Sequence, residues 1–284
     1  PSPRQTLLFS ATFPEGLQAI SEKLRTEIVH FDVTDSSAPR EIQQLWCSLD
    51  NSDRNTVLMS VIAHYGGPLN LVFCNTKIDC AEVAQVLSRN GIAAAPLHGD
   101  MEQKERNTTL VRFSNGSINV LVATDVAARG LDIEDVETVI NFSLPHQPET
   151  YVHRIGRTGR QGKSGRAISL VTHRERRRLQ DIEKVLGHDI LQCPMPEGIS
   201  IKARGLPTYT TIEINGGRRH KLRPGDILGA LTAKDSVEGN SVGKIDLMDQ
   251  VTYVAIEQQK VRAALQCINN SKIKGKLFLA RIIH

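Results

Sequence analysis

No uninterrupted apolar run in this chain approaches the length needed to span a bilayer, and no secretory leader is visible. The first residue is Pro1 rather than Met, which reads as a fragment or processed chain. Cysteine is sparse and unpatterned. Cys47, Cys74, Cys80, Cys193 and Cys267 are odd in number and form no Cys-x-x-Cys pair, which argues against a disulfide framework or zinc ribbon and fits a reducing cytoplasm. No internal repeat or low-complexity tract occurs. There is also no true phosphate-binding P-loop. Gly162-Lys163-Ser164 resembles the end of one, but the position five before Gly162 is Arg157, not glycine, and no buried strand ends there.

What is present is a foldable chain of 284 residues, 40% hydrophobic and 23% charged. The net charge of +4 hides an asymmetry. From Pro207 to His284 there are 12 basic and 7 acidic residues, leaving the remainder of the chain at −1. A basic C-terminal module on a near-neutral body points to a polyanion, most simply nucleic acid.

Up to about Leu186, short apolar runs alternate with amphipathic stretches, the pattern of an α/β parallel sheet. Leu69–Cys74, Ile92–Leu97, Ile118–Ala123, Val136–Phe142 and Ala167–Val171 read as strands. Helices are expected from Lys77 to Asn90-Gly91, over Glu102–Phe113, from Glu149, and from the capping box Thr172-x-x-Glu175 to Gly187. Residues 188–207, with Pro194, Pro196 and Pro207, read as a linker. Beyond it, strands are expected at Tyr209–Ile214, Gly243–Met248, Val251–Ile256 and Lys276–Ile283, with helices at Pro224–Leu231 and Gln258–Ile268. This βαββαβ order is that of RRM-like RNA-recognition domains, a small α+β fold.

Chemistry concentrates in a few strings. His153-Arg154-Ile155-Gly156-Arg157-Thr158-Gly159-Arg160 interleaves three arginines with glycine, suiting a phosphate clamp or a solvated basic helix about equally. Thr124-Asp125 lies just past a buried strand, where open α/β sheets bind ligands, although an ordinary helix cap is the commoner use. Asn75-Thr76 and His98-Gly99-Asp100, followed by Arg106, are further polar groups at strand ends.

Five strings in order, Ser10-Ala11-Thr12, Leu71–Lys77, His98–Arg106, Val120–Ile133 and His153–Arg160, resemble DEAD-box RNA helicases. The resemblance implies the end of a first RecA-like lobe over residues 1–29 and a complete second lobe over 30–187. The C-terminal domain, residues 208–284, is similar to the RNA-binding domain of one subfamily. ATP hydrolysis is implied, with Arg157 and Arg160 as arginine fingers, Asp132 on the ribose, and His153 and Arg154 coupling the lobes. Asn75, Thr76, Gly99, Arg106, Thr124 and Asp125 would line the RNA backbone, while Ser10, Ala11 and Thr12 would link hydrolysis to strand separation. The phosphate loop and Asp-Glu-Ala-Asp box belong before Ser10 and do not occur in these 284 residues, so Mg²⁺ ligands are expected in that part and the chain alone is expected to be inactive. The subfamily resemblance implies a cytoplasmic monomer acting on a 23S ribosomal RNA hairpin near the peptidyl-transferase centre, during large-subunit assembly. A non-catalytic RNA-binding fragment or adaptor is the competing reading.

The C-terminal domain departs from an ordinary stacking platform. Aligned on the strand consensus, Asp249–Ile256 places Val251 and Tyr253 where two aromatic rings are usual. Tyr253 is the one ring expected to stack, and Lys221, Arg223, Lys244, Lys274 and Lys276 are the basic contacts expected. Arg174, Arg176, Arg177 and Arg178 read as the wet face of a helix.

Overall fold

The computed structural model describes residues 42–49, 52–128, 133, 136–159, 164–194, 207–233 and 237–283. The expectations placed on residues 1–29, on Asp132 and on Arg160 lie outside these.

The N-terminal part of the described chain is a seven-stranded parallel sheet. Its strands are β1 (Ile42–Ser48), β2 (Asn70–Cys74), β3 (Ala94–Leu97), β4 (Val120–Thr124), β5 (Thr138–Asn141), β6 (Gly165–Val171) and β7 (Leu191–Gln192), in the order β3-β4-β2-β5-β6-β1-β7. Helices α1 (Arg54–Tyr65), α2 (Lys77–Arg89), α3 (Gln103–Ser114), α4 (Asp125–Ala128), α5 (Pro148–Ile155) and α6 (Arg176–Leu186) connect them. The apolar runs are continuous because both sheet faces are covered. In β2, Val72 and Cys74 join a core with Leu58, Val61, Val83 and Leu87, while Leu71 and Phe73 join the opposite core with Leu97, Phe113 and Val139.

Local signals set the helix ends. The Thr76 hydroxyl accepts the Asp79 N–H at 3.1 Å, and the Thr172/Glu175 capping box forms as its sequence implies. Gly187 ends α6 with φ of 75°, a left-handed conformation that costs glycine little.

The C-terminal domain comprises β8 (Tyr209–Ile214), α7 (Pro224–Thr232), β9 (Val242–Leu247), β10 (Thr252–Glu257), α8 (Val261–Asn270), β11 (Lys272–Ile273), β12 (Lys276–Leu277) and β13 (Ala280–Ile282). Its antiparallel sheet runs β13-β8-β10-β9, and one face packs on both helices through Ile212, Ile214, Val254, Ile227, Leu231, Ala264 and Ile268.

Four expectations need correction. Residues 188–193 are not linker, because β7 pairs with β1 and the Cys193 N–H donates to the Trp46 carbonyl at 2.8 Å. Cys47 and Cys193 are joined in a disulfide there, so the cysteines are not all free. The single last strand is broken into a hairpin and a short strand. Lys274 and Gly275, with φ of 51° and 80°, form its left-handed turn. Finally, β1 and α1 precede the first element that the sequence pattern disclosed.

Candidate nucleic-acid and nucleotide interface

The sheet order explains how residues far apart in sequence assemble. Strands β3, β4 and β2 are adjacent, so Gly99, Thr124-Asp125 and Asn75-Thr76 line one carboxyl edge. This is where parallel sheets hold ligands. Thr76 and Gly99 are exposed there, and a side chain added at Gly99 would meet no protein atom within 4 Å. The edge is thus open to an approaching phosphate backbone at that point. Arg106, on the first turns of α3, directs one Nη to the Ala127 carbonyl at 3.4 Å, while its buried Nε has no protein partner.

Arg154 is the hub behind this edge. Its side chain is 1% exposed, and its Nε and Nη2 donate to the two carboxylate oxygens of Asp125 at 2.7 and 2.8 Å. Nη2 also donates to Asn75 Oδ1 at 2.9 Å, and Nη1 donates to Asn141 Oδ1 at 3.0 Å and the Ser143 carbonyl at 2.7 Å. The guanidinium sits 5.0 Å from the centroid of Phe73. A planar fork with five donors can serve all these acceptors at once, which an ammonium cannot. Through these bonds Arg154 faces into its own lobe. His153, beside it, is exposed. Asn141 and Ser143, which complete the network, carried no sequence signal.

Arg157 follows on the turn after α5. Its carbonyl accepts the Val136 N–H at 3.3 Å, and its N–H donates to the Arg154 carbonyl at 3.1 Å. Thr158 is fully buried, and its hydroxyl donates to the Glu137 carbonyl at 3.3 Å. Gly159 adopts φ of 66° against Ile42 and Gly165, where a Cβ would overlap Ile42. The backbone carrying Arg157 is therefore tightly fixed. Among the described residues, no group of three or more His, Cys, Asp or Glu side chains could hold a metal ion.

The C-terminal sheet departs from its sequence expectation. Tyr253 is 3% exposed, so its ring is not available as a base platform in this arrangement. Its hydroxyl lies 3.3 Å from that of Thr108 on α3. Asn115 Nδ2 donates to the Thr211 hydroxyl at 2.9 Å, and that hydroxyl donates to Ser117 Oγ at 2.7 Å, all three residues being buried. Lys244 Nζ donates to Ser114 Oγ at 3.1 Å and pairs with Asp246 at 3.2 Å. One part of the sheet face is thus docked on the end of α3 and the turn after it. Lys244 is held within this contact.

Lys274 is likewise engaged, donating to the Lys221 carbonyl and the Asp226 carboxylate, both at 2.8 Å. The Lys274 hydrogen bond holds the half-buried Asp226 carboxyl below its usual range. Lys274 therefore braces the β11–β12 turn against the turn at Lys221, itself left-handed with φ of 60°. Lys221, Arg223 and Lys276 remain exposed on that edge. Arg176 is exposed, as expected of a wet face, and its guanidinium sits 3.8 Å from the centroid of the Trp46 ring.

A parallel RecA-like lobe with these strand-end groups, joined to a basic antiparallel domain, defines a helicase C-terminal lobe with an RNA-binding module. The helicase conserved C-terminal domain matches residues 53–162, and the DbpA RNA binding domain matches residues 211–282. The chain belongs to the DEAD-box RNA helicase family, in its DbpA branch. It is 42% identical to the ATP-dependent RNA helicase DbpA of Escherichia coli over 283 residues, and 33% identical to that of Bacillus subtilis over 299. These alignments take in 100% and 97% of the chain but 62% of each relative, so the chain spans under two thirds of their length. Among solved structures, E. coli SrmB bound to the regulator of ribonuclease activity A matches at 35% identity and TM-score 0.52, covering 57% of this chain and 98% of that one. Saccharomyces cerevisiae Dbp5 bound to RNA and ADP BeF3 matches at 32% identity and TM-score 0.61, covering 69% and 53%.

Proposed function

We propose that the whole protein is an ATP-dependent RNA helicase that remodels 23S ribosomal RNA during large-subunit assembly in the cytoplasm. The observation that carries this reading is the Arg154 network. It joins Asn75 and Asp125, at the open strand edge, to the helix that leads directly into Arg157. A single buried guanidinium thus ties groups suited to an RNA backbone to a group suited to a nucleotide phosphate. Strand-end amides and hydroxyls grip RNA without reading its sequence, because they address phosphate and sugar. Arg157 and Arg160 stabilise the charge that develops on the transferred phosphoryl group, a task that needs fixed cations. ATP with Mg²⁺ supplies that group, and no Mg²⁺ ligand is assigned to the described residues. Selectivity for the ribosomal hairpin is assigned to residues 208–284.

The test is RNA-stimulated ATP turnover by the full-length protein, with a 23S fragment carrying the hairpin against a scrambled RNA. Removal of residues 208–284 is expected to retain turnover with generic RNA and abolish the preference. Turnover blind to RNA, or a preference that survives the deletion, would overturn the reading.

A further inference from the structure

The start of α6, with the turn before it, runs against a helix rule. Arg174, Arg176, Arg177 and Arg178 crowd an end whose first turn carries no acidic residue. The macrodipole already makes that end positive, so each cation there works against it. Helix stability therefore gives no reason for the cluster, and local rules are broken chiefly where a site requires it. The one carboxylate within the run does not soften the charge. Glu175 is drawn inward, accepting from Arg54 at 2.6 Å and from the Thr172 N–H and hydroxyl at 3.0 and 2.8 Å. Arg174, Arg176 and Arg177 are left exposed. Further along α6, Asp181 is bonded by Lys184 at 2.9 Å, and this bond, with a smaller part from Arg177, holds its carboxyl below the usual range.

The cluster lies on the strand edge already described. The seven strands are parallel, so their carboxyl ends share one edge, and His173-Arg174 follow β6 as Asn75 follows β2. Only β5 stands between those two strands, a separation of about 10 Å. The Leu144 carbonyl, just past β5, joins the two groups. It accepts from Asn75 Nδ2 at 2.9 Å and from Arg178 Nη1 at 3.4 Å. We propose that Arg174 and Arg177 hold RNA phosphates, extending the backbone track of Asn75, Thr76 and Gly99 along this edge to the start of α6. The proposal rests on the RNA-helicase reading above and adds a second grip on the helicase lobe. Arginine suits the task, because its fork matches two phosphate oxygens and the positive helix end adds to the attraction. Such contacts position a strand without reading its sequence. An acidic protein would also offer anions, but continuity with the strand-end amides and hydroxyls favours a sugar-phosphate backbone.

The test uses the 284-residue chain and a labelled RNA hairpin, either bare or carrying a long single-stranded extension of mixed sequence. The double variant Arg174→Ala/Arg177→Ala should weaken binding of the extended hairpin. It should also flatten the log-affinity against log-salt slope by about 1.4, the release from two phosphates of a single strand. The wild-type advantage should therefore shrink about 7-fold between about 50 and 200 mM salt. Bare-hairpin affinity should hold, and Arg174→Lys/Arg177→Lys should keep the wild-type slope. The melting temperature of the Ala variant should not fall, because these arginines oppose the helix dipole. Equal affinity and slope for wild type and Ala variant on the extended hairpin overturn the proposal. So does an equal loss on both RNAs, since the loss would not follow the added strand. A melting temperature that falls while the slope stays would make the arginines structural, and overturns it too. Polyglutamate binding that the variant loses with RNA affinity intact would make the cluster a protein contact instead. If the wild type binds neither RNA, the underlying RNA reading fails.

Discussion

The hydroxyl of Tyr253 lies 3.3 Å from that of Thr108, although the two residues are 145 positions apart. The contact places the middle of the RNA-recognition sheet on the helix whose first turns carry Arg106. Deleting the phenolic oxygen in Tyr253→Phe should weaken docking by about 1 kcal/mol, the worth of one hydrogen bond between neutral groups. Tyr253→Ala should weaken it further by removing the ring. Energy transfer between dyes on the lobe and on the domain should report a broader distance distribution, widest for Ala. Identical distributions in both variants would assign the docking to the Asn115, Ser117 and Thr211 cluster and the Lys244–Ser114 bond.

Arg154→Met should destabilise the lobe by about 3–5 kcal/mol, because it strands Asp125 and leaves Asn75 and Asn141 short of a donor. Arg154→Lys should recover only part of this, since one ammonium cannot span the same acceptors. Urea denaturation with an unchanged m-value would measure both. A shift below about 1 kcal/mol for the Met variant would show that the network is not holding the strand edge.

Arg157→Ala in the full-length protein should slow ATP hydrolysis by about 10³-fold or more while leaving RNA affinity and thermal stability nearly unchanged. Arg160→Ala should do the same. Turnover at the wild-type rate in both would return this turn to RNA contact or a structural role.

Glu175 makes acid stability local. Burial works to raise its pKa, but the Thr172 N–H and hydroxyl, with the Arg54 guanidinium, outweigh it and hold the carboxyl below its usual 4.5. A carboxyl depressed in the folded state contributes stability that is fully present above its unfolded pKa. That contribution is lost as pH falls through the folded value. Glu175→Gln should therefore flatten the stability profile below about pH 4.5 and lower stability at pH 7, as read by melting temperature against pH. A profile parallel to the wild type across that window would remove Glu175 from the acid response.

The residues that were legible in the sequence are those whose signals are local. Apolar runs such as Leu71–Cys74 disclosed buried strands, and Thr76, Thr172-x-x-Glu175 and Gly187 disclosed helix ends, because each cap is satisfied within a few residues. Arg154 was legible as chemistry but not as position. Charged residues ordinarily face water, and the five acceptors that let this one be buried come from three separate segments. Strand β7 was hidden because Leu191 and Gln192 are both exposed and carry no periodic pattern. The hairpin at Lys274-Gly275 was hidden because its left-handed first position holds a lysine where Asn, Asp or Gly is usual. The docking of Tyr253 had no sequence signal, since its partner is an ordinary threonine hydroxyl on another domain.

The buried trio Asn115, Thr211 and Ser117 limits how freely evolution or an engineer can exchange this domain. Transplanting residues 208–284 onto a different helicase lobe would carry the exposed cations intact but deprive Thr211 of both its matched partners. A buried hydroxyl facing an unmatched surface costs about 1–3 kcal/mol, enough to shift a modest interface between its docked and released forms. A working chimera therefore needs the end of α3 and the turn at 115–117 from the same parent. The unit of inheritance crosses the apparent domain boundary.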